Sequence, residues 1–440
     1  MSSLRAAPLL LLFLLLSCAT PLRHYRLIEQ RMDKGDWLGA EGAVAKSWSK
    51  GYGERNRVLF DLDRGLLLHF GGKFQESNSF FFEAEGKMDE LYTKRIRDES
   101  ASLLINDNLL PYGGEDFEQV LTNFFAALNY LQLRNLEDAL VEARKIGHKL
   151  SLLGDKYEGK GRYHQDGLAQ YLSGLVYELM GRWDDAYISY HKSFEAYRGE
   201  PQIYPFPPPS FLLEDLLRLS QYLGREDDFR RLRAKFGSLR WRGQEEVAKG
   251  GEVLVLAFCG RGPVKEEFSL TVEKKDKKGN GYTFKLALPR FTPRPSQIAS
   301  AKILIDGRSH PLILAEDITV IAHRVLEDRL PLIEAKAVAR ALAKAKANQE
   351  AKKKMGGGGF NRVLKFGLDE VVKASERADL RCWRTLPAKI YLGQFTLPPG
   401  PHRAGLRFVS SGGQILQEID FAEFNLEKGG YRVLEGYCLK

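Results

Sequence analysis

Few reactive side chains in this chain stand in a pattern that chemistry could use. Tyr163-His164-Gln165-Asp166 sets an imidazole near a carboxylate, the parts of a general base. The pair opens a helical stretch, however, where Asp166 is better used as an N-cap. His148 lies near the end of a helical stretch, where a charged imidazole favours the carbonyl dipole. Glu142 and Arg144 either line a groove or pair with neighbours, and Cys259-Gly260-Arg261-Gly262-Pro263 reads as a strand-ending turn. There is no P-loop, dinucleotide fingerprint, His-Glu-x-x-His or Gly-x-Ser-x-Gly, and the eight histidines do not converge. No enzyme, catalytic residue or cofactor is expected. The thiols of Cys259, Cys382 and Cys438 are scattered without the close pairs of a zinc site, so no metal is expected. They leave open one disulfide, with three pairings, or three buried free thiols.

The fourth thiol, Cys18, is in a different setting. Arg5 precedes the apolar run Leu9-Leu10-Leu11-Leu12-Phe13-Leu14-Leu15-Leu16, which is too short for a permanent membrane span but suits the apolar region of a secretory signal. Leu15-Leu16-Ser17-Cys18 resembles the lipobox of bacterial lipoproteins. The resemblance implies cleavage of residues 1–17 and acylation of Cys18, and several acyl chains hold a protein stably at a bilayer. Ala19 is not the aspartate that retains lipoproteins at the inner membrane, so the resemblance implies an anchor at the periplasmic face of the outer membrane.

With 440 residues, 44% of them hydrophobic, the chain can bury cores in two or three domains. The net charge of +9 on an exported protein points to anionic lipid or envelope polymers rather than nucleic acid.

Behind the leader, residues 18–237 alternate helical periodicity with short breaks. Gly35 is followed by Ala40, Val44 and Ser47; Gly72 by Ser77, Phe81 and Ala84; Arg134 by Ala139, Ala143 and Ile146; Gly181 by Ala186, Tyr190 and Ser193. The offsets are five, nine and twelve residues each time. Gly65 and Leu68, Ala127 and Tyr130, and Gly174 and Tyr177 sit seven and four residues upstream of the later three anchors. The small residues let two helices approach, the aromatic or aliphatic one fills the gap between pairs, and the anchor ends the first helix at positive φ. The pattern resembles the tetratricopeptide repeat (TPR), whose hairpins must stack to bury their apolar faces. Spacing is irregular, with an extra helix expected near residues 95–107, a break at Pro111-Tyr112-Gly113-Gly114, and a further cap beyond Pro201–Ser210 near Gly224.

A sharper resemblance lies in Asn106-Asp107, Pro111-Tyr112-x-Gly114-Glu115-x-Phe117-Glu118, Ala127-Leu128-Asn129-Tyr130-Leu131 and Ala139-Leu140-Val141-Glu142-Ala143-Arg144, and again in Ala378-Asp379-Leu380-Arg381-Cys382-Trp383-Arg384-Thr385-Leu386-Pro387 and Leu397-Pro398-Pro399-Gly400. These resemble a family of bacterial outer-membrane lipoproteins with TPR-like repeats and a C-terminal β-rich domain. The resemblance implies no activity that carries over residue by residue.

Residues 250–440 change texture, with short β-branched or alternating runs bounded by turn residues. The Leu397-Pro398-Pro399-Gly400 turn is expected to join antiparallel strands tightly, and the flanks to form one β-sandwich bringing Cys259, Cys382 and Cys438 together. Between them, residues 316–377 read as two antiparallel helices, broken at Pro331 and around a Gly356–Gly359 tip. That tip and Lys352-Lys353-Lys354 offer a contact for an anionic lipid or glycan, although a solvated hairpin is the plainer account.

The expected fold is therefore α+β, an N-terminal α-helical TPR-like solenoid followed by a β-sandwich-like domain with an inserted helical hairpin. The expected function is a membrane-anchored scaffold whose concave repeat face holds an envelope protein or peptide, with some of Phe124, Phe125, Tyr130, Tyr171 and Tyr177 on that face and most of them in the core. The alternative is an envelope glycan-binding or glycan-processing accessory protein acting through the basic β-domain.

Overall fold

The computed structural model describes residues 24–97, 106–156, 163–275, 281–354 and 377–440. Cys18 and its leader lie outside them. Ten helices form five consecutive hairpins: α1 (Tyr25–Met32) with α2 (Trp37–Lys46), α3 (Arg57–Phe70) with α4 (Phe74–Arg97), α5 (Asp116–Gln132) with α6 (Leu136–Lys156), α7 (Gly167–Leu179) with α8 (Trp183–Gly199), and α9 (Ser210–Tyr222) with α10 (Glu226–Lys235). The five turns share one backbone form. Gly35, Gly72, Arg134, Gly181 and Gly224 all have φ between 60° and 73°. In each, the next residue's N–H returns to the carbonyl five positions back, as in Asp36 to Arg31, Asn135 to Tyr130 and Arg225 to Ser220. This satisfies the last carbonyls of the first helix and reverses the chain. The first four hairpins then close on small residues, Ala40, Ser77, Ala139 and Ala186, all fully buried, whereas the fifth has Phe229 at that place. This half of the chain is TPR-like by its own geometry.

The extra helix expected near residues 95–107 falls largely outside the described residues. What is described there is the end of the long α4 and a single 3-10 turn at Asp107–Leu109. His148 is not near a helix end, because α6 continues to Lys156.

After a short helix, α11 (Gln244–Val247), the chain enters strands β1 (Gly251–Cys259), β2 (Val264–Lys275), β3 (Gly281–Thr292), β4 (Ile298–Ile305), β5 (Arg308–Pro311) and β6 (Ile313–Asp317). Helix α12 (Ile318–Lys354) follows, then β7 (Lys389–Leu397), β8 (Gly400–His402), β9 (Ala404–Ser410), β10 (Ile415–Asp420), β11 (Phe424–Leu426) and β12 (Tyr431–Cys438). One sheet runs β12-β1-β7-β6 and a second β10-β9-β4-β5, with β2–β3 and β8–β11 as separate pairs. In the first sheet β12 lies parallel to β1, and the other neighbours are antiparallel. Alternate residues of β1 serve two cores. Val253, Val255, Ala257 and Cys259 face Ile303, Leu406 and Phe408 of the second sheet. Leu254, Leu256 and Phe258 belong to the helical core. A strand buried on both faces reads as a continuous apolar run, as Val-Leu-Val-Leu-Ala-Phe does.

Two expectations are corrected here. Helix α12 does not stop at Pro331 but runs through it. A proline removes one helical hydrogen bond, and apolar packing on both sides, Leu330 and Ile333, then Ala337 and Ala341 against Leu286 and Leu288, holds the helix together. The second helix and glycine tip of the expected hairpin lie at residues 355–376, outside the described ones. The Leu397-Pro398-Pro399-Gly400 segment does not join paired strands either, since β7 and β9 lie in different sheets. It carries the chain from one sheet to the other, pairing through β8 with β11 on the way.

Candidate functional site

The repeat anchors build close helix contacts rather than an exposed surface. A Cβ on Gly65 would lie 2.5 Å from the Phe81 ring, and one on Gly174 would lie 2.4 Å from the Tyr190 ring. Phe81, Ala84, Ala127 and Tyr190 are fully buried, while Tyr130 and Tyr177 are partly buried. Glu142 is buried, accepting from Asn123 Nδ2 at 2.6 Å and pairing with Lys145 at 3.0 Å. Asp166 caps α7 by accepting from the Ala169 N–H at 2.7 Å. Phe124, Phe125 and Tyr171 are core.

The face made by the first helices of the middle three hairpins, expected to hold a partner, is covered by the chain's own first sheet. Phe258 of β1 meets Phe70 of α3 and Phe125 of α5, with ring centroids 5.2 and 5.6 Å apart. Further along, Leu254 and Val433 face Leu131, Leu175 and Leu179. The cause is the even-numbered apolar stripe of β1, Leu254, Leu256 and Phe258, which among the described residues is buried in the helical core.

The two stretches that carry the lipoprotein resemblance meet at this junction. Trp383, 1% exposed, packs against Phe81 and Phe125 with centroids 6.0 and 6.1 Å away. Its backbone N–H donates to Glu118 Oε1 at 2.7 Å. Glu118 Oε2 accepts from Tyr112 Oη and the Glu115 N–H. Burial, then the nearby Glu115 carboxylate, raises the proton affinity of Glu118. Glu115 pairs with Lys265 and Arg329. Arg381 donates to the Leu110 and Asp107 carbonyls. Thr385 Oγ1 donates to Asp63, which also accepts from Tyr25 and Tyr52. These carboxylates and cations hold the strap at residues 378–386, together with β2 and α12, against the repeats.

The remaining thiols separate. Cys259 and Cys438 are register partners on β1 and β12, whereas Cys382 sits in the strap, and all three are free and buried. Arg261, in the turn after β1, pairs with Asp33 of the first hairpin turn.

A cleft of about 770 Å³ opens where the first two hairpins meet the edge strands β12 and β10. Its apolar walls include Trp37, Phe70, Phe74, Ile419 and Phe421. Trp37 stacks on Tyr437 at 5.2 Å with 9° between the planes. At its base His69, fully buried through its side chain, lies with Nε2 3.1 Å from Glu435 Oε2. The two are close but not aligned for a hydrogen bond, and Nε2 and Glu435 Oε1 have no hydrogen-bond partner. Asn129 donates through Nδ2 to Ser77 and Asn78, so its Oδ1 is the acceptor and His69 Nδ1 carries the proton, 2.7 Å away. The sequence signal for His69 was a single imidazole within Leu66-Leu67-Leu68-His69-Phe70, three residues before a repeat anchor. Among the described residues, no helix is long and apolar enough to cross a membrane.

No family model matches the chain, and no curated protein matches it. Among solved structures it is similar to MamA, at 14% identity over 49% of this chain and 94% of that one, TM-score 0.30. It is also similar to the nearly identical TPR-like repeats of a Podosopora anserina protein named for the kinesin light chain, at 13% identity over 50% and 96%, TM-score 0.33. The apo form of RapI overlaps at 13% identity over 52% and 72%, TM-score 0.33. The repeat assignment itself rests on the five shared turns described above.

Proposed function

We propose that this protein is a non-enzymatic interaction scaffold of the bacterial cell envelope, anchored by lipid on Cys18 at the periplasmic face of the outer membrane. Its partner is a protein or peptide. The observation that supports this reading is the fate of the polar groups. In the junction Glu115, Glu118, Asp63 and Arg381 are bonded across the two halves, and the aromatic cleft beside the first two hairpins has His69, Arg432 and Glu435 converging on it. A groove of that kind with a few convergent polar groups is a binding site by its chemistry. Because the first-helix face is filled in cis, the partner engages the cleft and not the inner face of the repeats. The β-rich half, a β-sandwich in this reading, acts as the brace that fixes the solenoid.

Cross-linking in intact cells followed by mass spectrometry tests the scaffold. A specific protein linked to the described surface is expected, and recovery of glycan alone would overturn the reading in favour of an envelope glycan accessory role. The anchor is tested by Cys18→Ala, which should move the protein out of membrane fractions; unchanged fractionation would sink it.

A further inference from the structure

We infer that the cleft binds an extended peptide segment by strand addition to β12, deepening the scaffold reading on which it rests. β12 is the last strand of its sheet, with β1 on one side only. Register pairs Glu252 with Tyr431, and the Glu252 N–H donates to the Gly430 carbonyl, as Gly260 does to Cys438. In a parallel ladder the strand residues then alternate. Even-numbered residues of β12 bond β1, and odd-numbered ones turn their N–H and C=O away from it. Two outward carbonyls are occupied: Tyr431 accepts from Arg134 and Tyr437 from Gln417 Nε2. Between them, no donor or acceptor among the described residues meets the outward groups of Val433 and Glu435. Both residues line the cleft.

Four main-chain groups thus form a short free edge, flanked by arginine and glutamine contacts that fix its ends. A strand edge with unpaired main-chain groups pairs with an extended chain, main-chain bonds giving affinity and neighbouring pockets reading alternate side chains. The pocket beside this edge is aromatic, bounded by Trp37, Phe70 and Tyr437. The occupant it fits is an extended segment with one large apolar side chain. His69, Arg432 and Glu435 line the same cleft beside this edge.

The probe is a set of fluorescently labelled, amidated octapeptides of threonine and valine carrying one tryptophan, phenylalanine or leucine, read by anisotropy against the full mature chain. Saturable binding is expected, strongest for the aromatic peptides. Val433→Pro removes one outward N–H without touching the β1 ladder, a position where an edge strand tolerates proline. It should weaken binding at least tenfold; because Val433 is also part of the helical core, Val433→Ala, which loses side-chain packing but keeps the N–H, is the control and should bind like the parent. Should the proline variant misfold, methylating alternate peptide amides makes the same test on the unaltered protein and should weaken binding equally. Absence of saturable binding, or indifference to both changes, overturns the inference. Self-association of the chain through this edge, abolished by Val433→Pro, would assign it to a second copy and also overturn it. The scaffold reading fails separately, when no protein cross-links anywhere; partner cross-links mapping away from β12 sink only the present inference.

Discussion

The backbone N–H of Trp383 donates to Glu118 Oε1 at 2.7 Å, joining residues 265 apart in the chain. The contact fixes a strap to the first helix of the third hairpin at the point where an indole fills the gap between repeats and sheet. A fully buried carboxylate accepting from a main-chain N–H of each half is a register pin. It ties the position of the sheet to one particular hairpin.

Trp383→Ala should therefore destabilise the protein by about 3–5 kcal/mol, the cost of removing a large buried aromatic. Glu118→Gln should cost about 1–3 kcal/mol, because the amide nitrogen would face the Glu115 N–H, a donor it cannot accept from. Urea unfolding followed by circular dichroism measures both. The two changes should be non-additive, since they loosen one strap. Independent effects would mean that Glu118 and Trp383 serve separate contacts.

The hairpin anchors make a sharper contrast. Gly174→Ala places a methyl 2.4 Å from the Tyr190 ring and should cost about 1–3 kcal/mol by overpacking. Gly42→Ala, in α2 with nothing within 4 Å of the added carbon, should instead stabilise by up to about 1 kcal/mol. Thermal melts of the two variants are enough. Shifts of the same sign would show that closeness of the helices is not what Gly174 provides.

Much of this was readable beforehand, and the reasons are local. The offsets after Gly35, Gly72, Arg134 and Gly181 reflect one turn geometry repeated, so a pattern of small residues reports it directly. The strands around β1 and β12 were legible because alternation and β-branching are local too. What was not legible is docking between distant elements. Nothing in Val253–Phe258 says that its even face covers helices, and the twinned motifs around Glu118 and Trp383 gave no sign of touching. Pro331 misled because a helix's own preference was outweighed by apolar contacts to β3. His69 and Glu435 were missed because each is unremarkable until two halves of the chain bring them together.

Arg134 is the one non-glycine among the five left-handed turn residues, at φ 60°. It keeps that conformation while its guanidinium lies 4.5 Å from the Tyr431 ring centroid and donates to the Tyr431 carbonyl. Arg134→Ala loses the contact and keeps the strain, whereas Arg134→Gly loses both. The glycine variant should be the more stable of the two by about 1 kcal/mol, the cost of a left-handed residue. Equal stabilities by chemical denaturation would place the cost elsewhere.

Glu316 of β6 is fully buried, facing Asp166 at the start of α7, Asp317 beside it and the hydroxyl of Tyr204. Burial, then repulsion from Asp166 and Asp317, holds its carboxyl well above the ordinary carboxylate range, while the Leu168 N–H and Tyr204 partly oppose this. The folded state thus binds this proton more tightly than the unfolded chain does. Its contribution to stability is complete below the unfolded carboxylate pKa and is lost as pH rises through the folded one. Glu316→Gln keeps the neutral shape and has no proton to lose. Near pH 4 the variant should match the parent, and at pH 8 it should be more stable by on the order of 1–3 kcal/mol, the scale of one unmatched buried polar group. Other buried acids, Asp63 and Asp166 among them, share the raised direction, so both proteins will weaken with pH. The quantity to read is the difference between the two curves across pH 4–9. A constant offset would show that Glu316 binds its proton equally in the folded and unfolded states, and a variant less stable at pH 8 would show that its charge is compensated.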